Sequence, residues 1–225
     1  MSYDFGPILL TFRLASATTA ILLILGIPLA SWLAFTRFKL KAVIETVVSM
    51  PLVLPPTVIG FYLLLVLGHN GPVGRLAEQL LDLKLVFSFA GLVVASVLYS
   101  LPFMVHPLQA GFQGIPYSLV EASYVLGKSR IHTLFRVLLP NMIPAILTGI
   151  VLSFAHTIGE FGVVLMIGGS IPGETRVASI AIYDEVQALN YGEANFHALV
   201  LFAVTFAILL MVYFVNKKLL KPLKE

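Results

Sequence analysis

The chain has 225 residues, 59% of them hydrophobic and only 11% charged, and its mean hydropathy is +0.98. A soluble domain carries about 25% charged residues, so the composition excludes a soluble fold and indicates an integral membrane protein. The lack of cysteine excludes disulfides and thiolate metal sites, while the formal charge of +3 implies a nucleic-acid partner only if the basic residues cluster for one.

The opening segment, MSYDFGPILLTFR, has no basic n-region, and the apolar run after it has no small-residue cleavage site. It reads as a retained first helix. Crossing the hydrocarbon core takes about 20 apolar residues. Stretches without Asp, Glu, Lys or Arg cover residues 14–36, 46–74, 85–120, 137–159 and 194–216. Five helices are therefore expected, near 10–36, 46–68, 85–106, 142–167 and 195–216, in an all-α chain. Residues 1–225 read as a single transmembrane domain, because no repeat, low-complexity tract or linker divides them.

The first span carries Gly26, Ala30, Ser31 and Ala34, a small-residue face suited to close helix packing. Its Trp32 suits a membrane interface. The second is interrupted by LPPTVIG. Proline removes a backbone donor and kinks a helix, and such a break is tolerated where a neighbour or cavity serves the freed groups. Pro55 and Pro56 thus mark a gate hinge or a packing kink. In the third stretch, Pro102, Pro107, Gly111, Gly114 and Pro116 break the second half, which points to a descent into a loop. Residues 161–171 either extend the fourth span or form a re-entrant turn ending at GGSIPG. A six-span alternative would put Glu174, Arg176, Asp184 and Glu185 in or near lipid, where a charge costs about 2.5–3.5 kcal/mol.

Orientation follows Lys and Arg. One set of loops holds Arg37, Lys39, Lys41, Lys128, Arg130, Arg136, Lys217, Lys218, Lys221 and Lys224; the other holds Arg13, Arg75, Lys84 and Arg176. The first set belongs in the cytoplasm, which puts the N-terminus outside and the C-terminus inside. The basic residues are then topological markers, and no nucleic-acid partner is expected.

Within the fourth span, His156 and Glu160 are four residues apart and share a helix face. Intramembrane ionisable groups face a bundle interior or an aqueous path. Ser153, His156 and Thr157 offer hydrogen-bond donors for such a path. Glu160 suits a structural or gating role; a His–Glu pair that only holds the fold is the alternative. No catalytic constellation emerges, and His69, His106, His132, His156 and His197 are scattered without metal-ligand spacing.

Residues 107–140 fall in the cytoplasm on this topology. Ala122 to Ser129 fits a loose phosphate-loop pattern, but no β-branched strand precedes it. Pro116, Ser118 and Glu121 instead suit a helix start with a capping box. Gly127 permits a sharp bend, and Ile131, Leu134, Phe135 and Leu138 follow at helical spacing. Leu139-Pro140 would end that helix. A surface helix between spans can dock in a partner's groove or lie on lipid headgroups.

The phrase EASYVLGKSRIHTLFRVLLP resembles the cytoplasmic signature of ABC-importer permeases. That signature runs Glu-Ala-Ala, a Gly four residues on, nine residues, Ile, any residue, Leu-Pro. Here Glu121, Ala122, Ser123, Gly127, Val137, Leu139 and Pro140 fill those offsets, with Ser for Ala and Val for Ile as the departures. Two further stretches, 50–65 and 153–186, resemble the molybdate-type subfamily, whose sulfate and tungstate relatives share much of the pattern. The resemblance implies a coupling helix seated in a separate ATPase subunit, which carries the ATP and Mg; this chain would bind no cofactor and catalyse nothing itself. It further implies a homodimer of this chain in the cell membrane, two ATPase copies, and an external binding protein delivering the oxyanion.

Overall fold

A computed structural model describes residues 4–220, leaving aside the side chains of 211–213 and 215–220. Lys221 and Lys224, used above for orientation, lie outside the described residues. Among those residues every regular element is a helix. In chain order they are α1 (Gly6–Phe35), α2 (Lys41–Ser49) with a 3₁₀ turn Met50–Leu52, α3 (Pro56–Leu67), α4 (Pro72–Leu81) and α5 (Phe89–Gln113). There follow α6 (Tyr117–Val125), α7 (Arg130–Thr133), a π turn Leu134–Leu138, and α8 (Leu139–Asn141). The chain closes with α9 (Ile143–Ile158), α10 (Gly162–Gly168), α11 (Ala178–Gln187) and α12 (Tyr191–Leu220).

Among the described residues three helices are long and apolar enough to cross a membrane: α1, α5, and α12 through Leu210. Counting two bent pairs as one span each raises the number to five. The pairs are Lys41–Leu52 with Pro56–Leu67, bent by 112°, and Arg130–Asn141 with Ile143–Ile158, bent by 79°. The expected second span is thus sharply broken. Pro51 lies in the 3₁₀ turn, and Pro55 and Pro56 form the N-cap and first residue of α3. Three prolines in six residues remove the donors that would continue α2.

Two further expectations change. The third span does not unwind near 106 but runs to Gln113, through Pro102 and Pro107. In apolar surroundings an unwound backbone finds no water, so losing two bonds costs less than abandoning the helix. The fourth span does not continue to 167. It ends at Ile158, and Gly159, Glu160 and Phe161 turn the chain into the separate α10.

The centre of the bundle is α1 against α5 and α9. Leu22, Ala30, Leu33, Met104, Val105, Leu108 and Phe112 form its buried core. Gly26 and Gly149 make the close approach possible. A Cβ on Gly26 would lie 2.8 Å from Met104 Cγ, and one on Gly149 would lie 2.9 Å from Met104 Sδ. Without a hydrophobic force between helices in lipid, such small-residue contacts supply the van der Waals packing. A second apolar cluster, with Leu10, Leu14, Leu92, Val164 and Ile180, ties α10 and α11 to the N-terminal half of α1.

Hydroxyl groups serve the backbone ends this folding leaves open. Thr11 Oγ1 donates to Pro7 O at 2.8 Å and accepts from Ala178 N at 2.8 Å, so α1 caps α11. Thr175 Oγ1 donates to Gly168 O at 2.7 Å, closing α10.

Candidate functional site

The break between α9 and α10 opens onto a cavity of about 560 Å³. It is lined by Pro56 and Thr57 at the start of α3, Tyr99 of α5, Ala155 and His156 of α9, and Gly159 to Gly162 at the break, with Leu165 and Met166 behind. A larger hollow of about 660 Å³ lies where α3 ends, beside the His69–Glu78 contact at 2.6 Å, and is walled mainly by loop residues. The smaller cavity is distinguished by what it holds: a carboxyl group deep in an apolar bundle.

Glu160 is 4% exposed, and neither of its carboxyl oxygens has a hydrogen-bond partner among the described residues. The Ser96 hydroxyl faces it from α5 without reaching hydrogen-bond geometry. An unpaired buried charge is expensive, so this carboxyl awaits a proton, a ligand or a partner. Its backbone is engaged at both ends: the carbonyl accepts from Ser179 Oγ at 2.6 Å and the N–H donates to Thr157 O at 3.4 Å.

His156 does not pair with Glu160. The helix ends at Ile158, so the four-residue spacing no longer puts the two side chains on one helical face. Instead the His156 ring stacks on Phe103 of α5, with centroids 3.9 Å apart, and its Nδ1 lies 2.9 Å from Ser100 Oγ. Ser100 Oγ also lies 3.1 Å from Thr157 Oγ1, which donates to Ser153 O at 2.9 Å. Tyr99 completes the aromatic wall, 5.0 Å from the His156 ring.

The residues singled out in the sequence therefore separate. His156, Glu160 and Pro56 line the cavity, and Pro55 caps the helix that Pro56 begins. Thr157, 2% exposed, stands behind the wall in the Ser100 network, and Ser153 is fully buried with its hydroxyl unpartnered. Sequence reading missed the α5 contribution. Its signal was present: Ser96, Tyr99, Ser100 and Phe103 recur at helical spacing on one face of an otherwise aliphatic span.

The segment 107–140 sits apart from this cavity. Pro116 is the N-cap of α6 and no side-chain cap forms, so the Ser118–Glu121 box is not used. Gly127 has φ of +71°, the left-handed conformation that a turn here requires. Ser123 Oγ lies 2.8 Å from Thr133 Oγ1, which donates to Ser129 O, so Ser123 links α6 to α7 across the bend. The predicted apolar stripe is split: Leu138 is buried, whereas Ile131 and Phe135 are 71% and 60% exposed. The π turn Leu134–Leu138 falls between Ile131 and the end of this stripe. Pro140 cannot donate to the carbonyl four residues back, and the wider turn before it shifts the register. Val137 and Leu139 are half-buried there, while Glu121, Ala122, Gly127 and Pro140 are exposed.

Comparison with known proteins adds the family. The molybdenum transport system permease protein ModB of Azotobacter vinelandii is 49% identical over 211 residues, 94% of this chain and 93% of that protein. The protein of the same name from Escherichia coli K12 is 33% identical over 92% of this chain and 90% of its own length. A probable sulfate transport system permease protein of Prototheca wickerhamii is 36% identical over 79% of this chain and 68% of its own. Among solved structures, a bacterial ABC transporter that imports alginate matches with a TM-score of 0.77 at 18% identity, over 96% of this chain and 79% of that one. The MetNI methionine ABC transporter matches with a TM-score of 0.72 at 15% identity, over 94% of both chains. Those two likenesses establish a shared fold. Residues 26–222 match the family described as binding-protein-dependent transport system inner membrane component, and with these relatives at its side the chain belongs to that family.

Proposed function

We propose that this chain is the membrane-spanning permease subunit of an ABC importer that moves molybdate across the cytoplasmic membrane. One observation carries the reading: 49% identity, over nearly the full length of both chains, to a molybdenum permease. Sulfate is the second reading, favoured by the 36% identity to a sulfate permease, but over a smaller share of both chains.

The assembly in this reading is a homodimer of the chain, two cytoplasmic ATPase subunits carrying ATP and Mg, and an external binding protein that delivers the oxyanion. The N-terminus lies outside and the C-terminus in the cytoplasm, as the distribution of basic residues supports. Residues 107–140 form the coupling loop in a single domain spanning 1–225. Its surface supports this: Val125, Leu126, Ile131 and Phe135 are apolar and 60–86% exposed around the Gly127 bend, more than a solvated turn needs. ATP-driven closure of the partner would move this bend and, through α9, the break that walls the cavity. The path then runs past Pro56, His156 and Glu160, with Ser153 and Thr157 buried behind its wall and Pro55 and Pro56 as the hinge of the broken span.

Copurification with the neighbouring ATPase and binding protein tests this. The complex should hydrolyse ATP faster with molybdate-loaded binding protein and accumulate molybdate in vesicles. A permease that retains no ATPase subunit, or a complex that accumulates no molybdate, would overturn it.

A further inference from the structure

We propose that the cavity at the α9–α10 break receives the oxyanion together with one proton, held between a ligand oxygen and the Glu160 carboxyl group. The inference rests on the importer reading above and adds the form in which the cargo passes.

The argument is a count of hydrogens. Thr157 spends its hydroxyl hydrogen on Ser153 O at 2.9 Å. In the Ser100–Thr157 contact at 3.1 Å, Ser100 must therefore donate. That spends the hydrogen of Ser100, so in its 2.9 Å contact with His156 the ring Nδ1–H must be the donor. With Nδ1–H as the ring's one hydrogen, Nε2 offers a lone pair; a second ring hydrogen would put the added proton on His156 instead, and His156→Gln distinguishes the two. Nε2 makes no hydrogen bond among the described residues, and the ring lines the cavity. The stack on Phe103 holds it there.

Glu160 lines the same cavity, 4% exposed and with both oxygens unpartnered. Among the described residues, the other titratable group in the wall is Tyr99 from α5, no Lys, Arg or Asp lines it, and α3 contributes Pro56 and Thr57. The wall thus opposes an oxyanion with a ring lone pair and a carboxylate. A fully ionised oxyanion has only acceptors as well. Acceptors cannot bond to acceptors, and two adjacent anions repel unless a proton lies between them. One added proton resolves both conflicts: it converts the oxyanion–carboxylate clash into a strong O–H···O hydrogen bond. Whether that proton sits on the ligand or on Glu160 leaves the count at one. The hydroxyls of Tyr99 and Thr57 can supply neutral donors for other ligand oxygens.

The test uses the purified permease–ATPase complex in lipid nanodiscs, without binding protein, titrated with molybdate between about pH 6 and about pH 9. One linked proton makes wild-type affinity fall by up to about tenfold per pH unit on the alkaline limb. Glu160→Gln should bind molybdate with a flat pH profile, because its amide supplies a fixed donor, and His156→Gln should keep the slope. A pH-indicator dye should record about one proton taken up per molybdate bound on the alkaline limb of the wild type. This last readout needs no variant to fold. A flat wild-type profile, a slope surviving in Glu160→Gln or lost in His156→Gln, no proton uptake, or no molybdate binding would each overturn the proposal. Binding-protein-driven uptake, measured on the same complex, separates the failures. If it persists, the importer reading stands and only the proton is wrong; if it is absent, both fall.

Discussion

Met104 is trapped from two sides, and that makes its surroundings a quantitative test of the bundle. Its side chain is fully buried on α5, with Gly26 of α1 against Cγ and Gly149 of α9 against Sδ. Gly149→Ala would place Cβ 2.9 Å from Sδ and 3.3 Å from the Met104 carbonyl oxygen. The sulfur cannot retreat, because α1 stands only a Cβ's clearance away at Gly26. Overpacking of this kind costs about 1–3 kcal/mol. Met104→Ala alone leaves a void and costs about 2–5 kcal/mol. Together the two changes should cost less than their sum by about 1–3 kcal/mol, the whole overpacking cost, in line with the roughly 0.5–3 kcal/mol of coupled neighbours. In the Met104→Ala background, Gly149→Ala should be neutral or stabilising, since it fills space and gains up to about 1 kcal/mol of helix propensity. Trp32 on α1 is the chain's single tryptophan and reports the transition by fluorescence during detergent-induced unfolding. Strict additivity would refute the idea that both helices close on this one side chain.

Other outcomes follow from the same geometry. Ser100→Ala should lower stability by about 1–3 kcal/mol, because His156 Nδ1–H loses its acceptor in a buried wall; an unchanged unfolding midpoint would count against the network. His156→Leu should slow molybdate uptake at normal yield if the ring lines the path, whereas a loss of folded protein would assign it to the packing with Phe103. Gly127→Pro cannot adopt a φ of +71°, since proline holds φ near −65°, and should reduce recovery of the ATPase subunit while the membrane bundle unfolds normally, as should Glu121→Lys; full recovery with both would sink the docking role. Arg176→Gln should cost about 1–2 kcal/mol, between exposed and buried pairs, because Arg176 bridges Asp184 at 3.2 Å and Glu185 at 2.9 Å; comparing midpoints at low and high salt checks it.

Charge gaps located the membrane helices because lipid penalises charge everywhere along a span. They could not locate the helix ends, because backbone geometry inside an apolar stretch leaves no trace in hydropathy. Thus Pro102 and Pro107 read as breakers, yet α5 runs through both, while the modest Gly159-Glu160-Phe161 ends α9. A proline in a packed span loses one bond; a glycine beside residues that pack elsewhere permits the chain to turn. The site was half legible for a related reason. His156 and Glu160 stood out as ionisable groups in an apolar span, but their spacing implied a pair that the break prevents. Ser96, Tyr99 and Ser100 share a helix face in the sequence, but hydroxyls in a span ordinarily bond their own helix, and it takes the third dimension to show Ser100 turned toward His156.

The two breaks converge, and that is what gives the buried carboxyl its meaning. A Cβ on Gly162 would meet Pro56 Cβ at 2.7 Å, and one on Gly60 would meet Met166 Cβ at 2.7 Å, so the start of α3 and the start of α10 are pressed together. Irregular backbone at membrane depth is tolerated where protein or a water-filled cavity serves its polar groups. Here Ser179 and Thr175 serve the carbonyls of Glu160 and Gly168, which leaves the Glu160 carboxyl, with the Ser96 hydroxyl facing it, unserved at the junction. A packing kink needs no such group, and an apolar side chain of similar size would be less costly to bury. The carboxyl is retained at the one place where two broken helices, an aromatic wall and a cavity meet. A proton on the carboxyl or a polar occupant beside it would each offset its desolvation, and the pH titration of molybdate binding separates the two.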